Sequence, residues 1–346
     1  MAARSSTICA TSATCSAPRC RTSPIPASRK ASRWRRNKGS DVSEREDKQQ
    51  AAGRLVLNEA LVAGDRLAYA TQRHAVPWWS FTKTVIAAAV LALARDGELV
   101  LDVPFAGRDV TLRQTLAHRA GIACYSGLAA YRSAVDGGHL PWSEDELLRR
   151  TGADRSLHAP GVAFNYSNIG YLLLRRIVER RSNLGLGEAL EKLVLAPLGI
   201  EDVLLLEERP KPGQPVTGLR GFYHPGWVYH GLLVGPLEQA ALLLQRLLTS
   251  DFLPEDLRRE MAAGLSVGDA IDGRPFRRPA YGLGLMVDAV DPPLLGHTGG
   301  GPDSTIAVYW SARTGRAAAV FAPGEATGAV EARAFALIEQ EDAEAL

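Results

Sequence analysis

At 346 residues, 46% hydrophobic and 23% charged, the chain has the length and balance of a folded protein with a large core in one or two domains. Its longest unbroken apolar run, Val85 to Ala94, is too short to span a bilayer. The net charge of +2 hides an asymmetry: residues 1–50 carry 11 basic and 4 acidic side chains and the rest carry 29 and 34, so the body offers no basic face for nucleic acid.

Residues 1–53 read as a basic tail rich in Ser, Thr, Ala, Pro and Arg, and this composition predicts disorder. The tail lacks the apolar core of an ordinary secretory signal, which leaves a cytoplasmic location as the expectation. Up to Asn37 the composition also fits an organelle transit peptide, and a translation start placed upstream of the natural one is a third reading. Arg33-Trp34-Arg35-Arg36-Asn37-Lys38 could touch nucleic acid, but a solvated tail is the simpler account. Cys9, Cys15 and Cys20 lie in the tail and only Cys124 in the body, so the body forms no internal disulfide. No Cys/His spacing resembles a zinc site, and no cofactor is expected.

Arg54 to Val62 and Arg66 to Gln72 read as strands joined at Gly64-Asp65. A helix starts near Ser80 and ends at Asp96-Gly97. Thr111 caps a helix to His118, and Ser143 one to Arg150, with Glu146 at the capping-box position. Residues 125–160 otherwise read as irregular. Helices are predicted at Ile169–Arg181, Leu186–Leu195 and Leu237–Leu248, with a loop over 207–236. Tyr281–Ala289, Leu294–His297, Thr305–Ser311 and Arg316–Phe321 read as strands, and Ala329–Leu346 as a terminal helix. This pattern predicts a mixed α/β (α+β) body, with a sheet part at 54–84 and 276–346 and a mainly helical part at 85–275.

Within this frame, Ser80-Phe81-Thr82-Lys83 stands out. Residues three apart on a helix share a face, so the Lys83 amine can reach the Ser80 hydroxyl. A serine needs a base to become a nucleophile, and lysine serves once burial lowers its pKa. The helix that follows is apolar on every face, which places Lys83 in a desolvated setting. Ser-x-x-Lys is a weak pattern by itself. Here the chain has six lysines, and only Lys83 has serine three positions upstream.

Two further patterns join it. Tyr166-Ser167-Asn168 precedes a helix: Tyr166 could share proton transfer with Lys83 if a nearby cation lowered its pKa, and Asn168 offers a carboxamide to a substrate amide or to the Lys83 ammonium. His297-Thr298-Gly299-Gly300-Gly301 follows a short strand, and its glycines let a substrate approach the backbone. Each taken alone is more often simply a turn.

In this order and spacing the motifs resemble the serine β-lactamase superfamily, in the branch of class C β-lactamases, D-alanyl-D-alanine carboxypeptidases and related esterases. The resemblance runs from about Arg54 to Gly324, with support from Leu116-Ala117-His118-Arg119-Ala120-Gly121-Ile122, Ala196-Pro197-Leu198-Gly199 and Tyr281-Gly282-Leu283-Gly284. It implies an antiparallel sheet flanked by helices beside a mostly helical domain, with the site between them. It implies a metal-independent serine hydrolase. Ser80 is acylated, Lys83 and Tyr166 share acid and base roles, and Asn168, His297, Thr298, Gly299 and Gly300 bind substrate. The oxyanion lies between the N–H groups of Ser80 and Gly300. His297 replaces the lysine of class C enzymes, and a neutral imidazole gives a β-lactam carboxylate no fixed charge. The expected substrate is therefore an ester or an amide of a small or D-amino acid, less so a β-lactam. Tyr229-His230-Gly231-Leu232 departs from the usual small residues and predicts a different pocket wall. A catalytically silent binding or sensor protein on the same fold is the alternative.

Overall fold

The computed structural model describes residues 57–340 apart from 106, 212–215 and 325. The expectations for the tail, for residues 54–56 and for the chain after 340 fall outside them.

The chain enters through β1 (Asn58–Ala63) and β2 (Arg66–Ala70), a hairpin turned at Gly64 with φ 58°. β3 (Val76–Pro77) leads into a 3-10 turn, Trp79–Phe81, and only then into α1 (Thr82–Arg95). Ser80 thus sits in the tighter turn, one step before the α-helix expected to contain it. α1 is buried from Thr82 through Leu93, which accounts for the absence of a polar stripe. α2 (Leu112–Leu116) begins with a complete capping box between Thr111 and Gln114.

α3 (Ala129–Asp136) lies where the sequence reads as irregular. It buries only Ala134 and Val135, too few to imprint a periodicity between the glycines at 127 and 137. α4 (Glu144–Thr151) keeps half of its expected capping box. Ser143 accepts from the Glu146 N–H, while the Glu146 carboxylate turns to Arg149 and Arg150. α5 (Asn168–Ser182) is capped by the Ser167 hydroxyl. α6 (Leu186–Leu190) changes to π geometry over Glu191–Leu195, so one predicted helix becomes two segments.

β4 (Leu204–Leu205), a 3-10 turn at Pro225–Trp227 and β5 (Leu233–Gly235) interrupt the predicted loop. α7 (Leu237–Thr249) follows. α8 (Glu255–Ala262) lies where the sequence predicts no helix: five of its eight residues are charged and it buries Met261 alone.

The rest is sheet: β6 (Leu265–Ser266), β7 (Pro279–Tyr281), β8 (Met286–Asp288), β9 (Leu294–Gly300), β10 (Ser304–Ser311) and β11 (Arg316–Pro323), closed by α9 (Thr327–Glu339). The strand predicted at Tyr281–Ala289 splits because Gly282–Leu285 forms a tight turn. There Gly284, at φ 82°, lies against Ala87 of α1 with no room for a Cβ.

An antiparallel eight-stranded sheet runs β2-β1-β11-β10-β9-β8-β7-β6, so the first two strands of the described chain join the last six, with β1 beside β11. Both faces are covered. Ala317, Ala319 and Phe321 of β11 join the core that contains α1 and α7, while Ala318, Val320 and Ala322 join the core under α9. α7 therefore packs on the sheet although its sequence position falls in the stretch read as helical insert. A second sheet, β3-β5-β4, ties the segment before Ser80 to the segment after His230. No helix among the described residues is long and apolar enough to cross a membrane.

Candidate active site

The Ser80 turn is held from three sides. Trp78 N–H donates to the Leu233 carbonyl at 2.8 Å, and the Leu233 N–H donates to Thr82 Oγ1 at 3.1 Å. Trp79 takes φ 43°, a costly conformation for a bulky residue, immediately before Ser80. Its indole N–H donates to Ser304 Oγ at 2.9 Å and its ring lies against Gly301 and Tyr223, which fixes that conformation.

Lys83 Nζ lies 3.1 Å from Ser80 Oγ, as the three-residue spacing predicts. Lys83 is fully buried, and burial drives its pKa well below the ordinary lysine value, with Cys124 pulling the other way. An amine in that state can accept a proton. Its other close neighbour is His230, whose Nε2 lies 3.0 Å from Nζ.

Tyr166-Ser167-Asn168 is stapled to the segment after α2. Ser167 N–H donates to His118 Nδ1 at 3.1 Å, Ser167 Oγ donates to the Ala123 carbonyl at 2.7 Å, and Asn165 N–H donates to the His118 carbonyl at 2.8 Å. Lys83 Nζ stands 5.1 Å from the centre of the Tyr166 ring. Desolvation raises the Tyr166 pKa, against the opposing pull of its hydrogen bond to Ser80. The lowering expected from a nearby cation is outweighed: the Arg274 guanidinium pulls the pKa down, but desolvation pushes it further up. Tyr166 is thus kept as a phenol, able to donate a proton. Asn168 heads α5, and its Oδ1 is buried without a partner in the protein. It does not hold Lys83, a contact that His230 makes instead.

The His-Thr-Gly-Gly stretch is not a turn after a strand but the last part of β9. His297 is fully buried and lines neither cavity described below. Its Nδ1 lies 2.7 Å from the Thr298 carbonyl, so Nδ1 carries the proton and Nε2 accepts from the Tyr281 hydroxyl at 3.0 Å. Burial, reinforced by the charge of Lys83, lowers its pKa to about 3. Thr298 Oγ1 donates to the buried carboxylate of Glu331, which also pairs with Arg274, so its proton is committed within the protein. Gly299 faces the Ser80 turn, where a Cβ would meet backbone rather than a substrate. Gly300 is the exposed member. Gly301 N–H donates to the Ser304 carbonyl at 3.0 Å, which makes Gly300 and Thr305 a non-hydrogen-bonded pair. The Gly300 N–H therefore points away from β10.

Two cavities meet at Gly300. One, of about 470 Å³, is lined by Ser80, Asn168, His230, Trp79 and Tyr223. The other, of about 350 Å³, is lined by Tyr166, Phe164, Tyr281, Arg274 and Thr298. Ser80 and Tyr166 thus line adjoining cavities that share Gly300. No cluster of His, Cys, Asp and Glu suited to a metal occurs among the described residues.

A family profile described as Beta-lactamase matches residues 50–342. The chain belongs to the Beta-lactamase family. Among curated proteins it is 32% identical to the esterase EstB of Burkholderia gladioli over 152 residues, a match spanning 38% of this chain and 38% of the esterase's length. Its fold is similar to the D-amino acid amidase of Ochrobactrum anthropi SV3 (21% identity, TM-score 0.68, 81% of this chain and 91% of that one). It is also similar to a D-stereospecific amidohydrolase from Streptomyces sp. (22%, 0.66, 79% and 90%) and to an octameric penicillin-binding protein homologue from Pyrococcus abyssi (20%, 0.65, 86% and 77%).

This β-lactamase-family site contains two buried histidines absent from the predicted set. His118, at φ 55°, packs its ring 4.2 Å from that of Tyr166 and keeps Nε2 unpartnered. His230 touches Lys83. The sequence carried a sign of each: His118 and His230 lie inside the stretches Leu116 to Ile122 and Tyr229 to Leu232 that bear on the resemblance.

Proposed function

We propose that the protein is a serine hydrolase that works through an acyl-enzyme on Ser80, with an ester or a small or D-amino-acid amide as substrate. The observation that carries this reading is the 3.1 Å approach of a fully buried lysine amine to the Ser80 hydroxyl. Ser80 Oγ attacks the substrate carbonyl carbon while its proton passes to Lys83 Nζ. The oxyanion is met by the N–H groups of Ser80 and Gly300, each such donor being worth about 10²–10³ in rate. The Tyr166 phenol donates a proton to the leaving group and is reprotonated by the Lys83 ammonium; water then attacks the acyl carbonyl, passes a proton to Lys83, and Ser80 Oγ leaves, taking that proton back. Asn168 Oδ1, buried and unpartnered on the cavity wall, is placed to accept from a substrate N–H.

Similarity to an esterase and to D-amino acid amidases supports the two substrate classes. The buried, neutral His297 supports weak use of β-lactams, because it brings no positive charge to their carboxylate. The test is a panel of p-nitrophenyl butyrate, D-phenylalanine p-nitroanilide and nitrocefin, with fluorophosphonate labelling and peptide mapping of the labelled residue. Labelling at Ser80 with turnover of ester or D-amide is expected. A protein that binds these compounds without labelling or turnover is a silent binder, and nitrocefin as the best substrate overturns the substrate class.

A further inference from the structure

His230 is 2% exposed and its Nε2 lies 3.0 Å from the Nζ of the fully buried Lys83, which in turn lies 3.1 Å from Ser80 Oγ. Among the described residues no other side chain hydrogen-bonds Nζ. We propose that His230 is a positioning residue for Lys83: its Nε2 accepts a hydrogen bond from Nζ, holds the amine against Ser80, and stabilises the ammonium formed when Ser80 loses its proton. The proposal rests on the hydrolase reading of Ser80 and Lys83.

A neutral lysine amine has two N–H donors and one lone pair. It rotates freely about its terminal bond unless a neighbour fixes it. An acceptor on one side occupies an N–H and leaves the lone pair for the serine. After proton transfer the fully buried ammonium has three donors to satisfy, so an acceptor at Nε2 counts for more in the product of the step than in its start. In this step the proton passes from Ser80 Oγ to Nζ, and His230 transfers nothing. The imidazole is suited to this because burial above all keeps it neutral, and the Arg175 guanidinium acts in the same direction. Its proton then resides on Nδ1, which is buried without a partner.

The fold fixes His230 relative to the serine. It lies three residues before β5, which pairs with β3 and exchanges hydrogen bonds with Trp78 and Thr82 on either side of Ser80. Gly231, at φ 104°, turns the chain between them, with its N–H donating to the Val228 carbonyl at 2.7 Å. One stretch of backbone thus sets both the nucleophile and the residue that aims its base.

The experiment compares the second-order rate of fluorophosphonate labelling at pH 7.5 in the wild type, His230→Leu and His230→Gln. Leucine fills the space without an acceptor, whereas the glutamine carbonyl restores one at similar reach. Labelling is expected to fall about 10- to 100-fold in His230→Leu, the range of one hydrogen bond to a charged group, and to recover most of that loss in His230→Gln. If His230→Leu fails to fold, His230→Asn, whose carboxamide is too short to reach Nζ, carries the comparison. A labelled wild type matched by His230→Leu or Asn overturns the proposal alone, as does a glutamine variant no faster than these. A wild type that takes no label overturns the hydrolase reading and the role of His230 with it.

Discussion

A Cβ placed on Gly299 would stand 2.6 Å from the backbone nitrogen of Ser80. It would also meet the Trp78 carbonyl oxygen and Trp79 Cβ at 2.7 Å, so β9 can touch the Ser80 turn only with glycine at this position. Gly300, one residue on, has nothing nearer than Thr305 Oγ1 at 3.9 Å. Gly299→Ala is expected to cost about 1–3 kcal/mol of stability through overpacking. By displacing the Ser80 N–H it should also lower kcat/KM about 100-fold. Gly300→Ala should keep wild-type stability. Urea denaturation with ester kinetics on both variants checks this contrast; equal stabilities would show that the strand gives way without consequence.

Ser80→Ala is expected to remove fluorophosphonate labelling and ester turnover while leaving the melting temperature unchanged. The side chain is only partly buried and its loss leaves the Trp78 and Thr82 hydrogen bonds to Leu233 in place. Covalent label persisting in this variant would move the nucleophile elsewhere.

Lys83→Ala and Tyr166→Phe are each expected to lower kcat about 10²-fold or more, the usual share of a general acid or base. Because Lys83, Ser80 and Tyr166 act on one proton path, the double variant should lose far less than the product of the single losses. Single-turnover rates on p-nitrophenyl butyrate for the three variants give the answer, and full multiplicativity would mean that the two groups act independently.

His297 makes stability depend on pH. The folded chain holds it neutral down to about pH 3, whereas the unfolded chain binds a proton near pH 6.5. The unfolded state gains protons first as pH falls, so stability present above pH 6.5 is lost progressively on acidification. For His297 alone the loss at pH 5 relative to pH 8 is about 2 kcal/mol. His118 and His230 are shifted in the same direction by burial and add to it. His297→Asn should lose less stability than the wild type between pH 8 and 5, read from urea midpoints at the two pH values. An unchanged pH dependence in that variant would place the acid sensitivity in other groups.

The sequence alone determined the parts whose physics is local. A lysine three residues after a serine at a helix start must lie near it, and the apolar run from Val85 to Ala94 could only be a buried helix. Thr111 acts through hydrogen bonds within its own turn, so the helix start near 112 was readable, and the apolar stripe from Ile169 marked the next long helix to within one residue. Helices with one or two buried residues, 129–136 and 255–262, left no periodicity to read. What only the tertiary structure decided is what each motif residue faces. Strand alternation and burial turned His297 inward to Tyr281 and committed the Thr298 proton to Glu331, 33 residues away. Gly299 serves the Ser80 turn and Gly300 the cleft, a division invisible in a row of identical residues. The partner of Lys83 came from His230, 147 residues along the chain, because pairing of β3 with β5 is a long-range contact that no local pattern encodes.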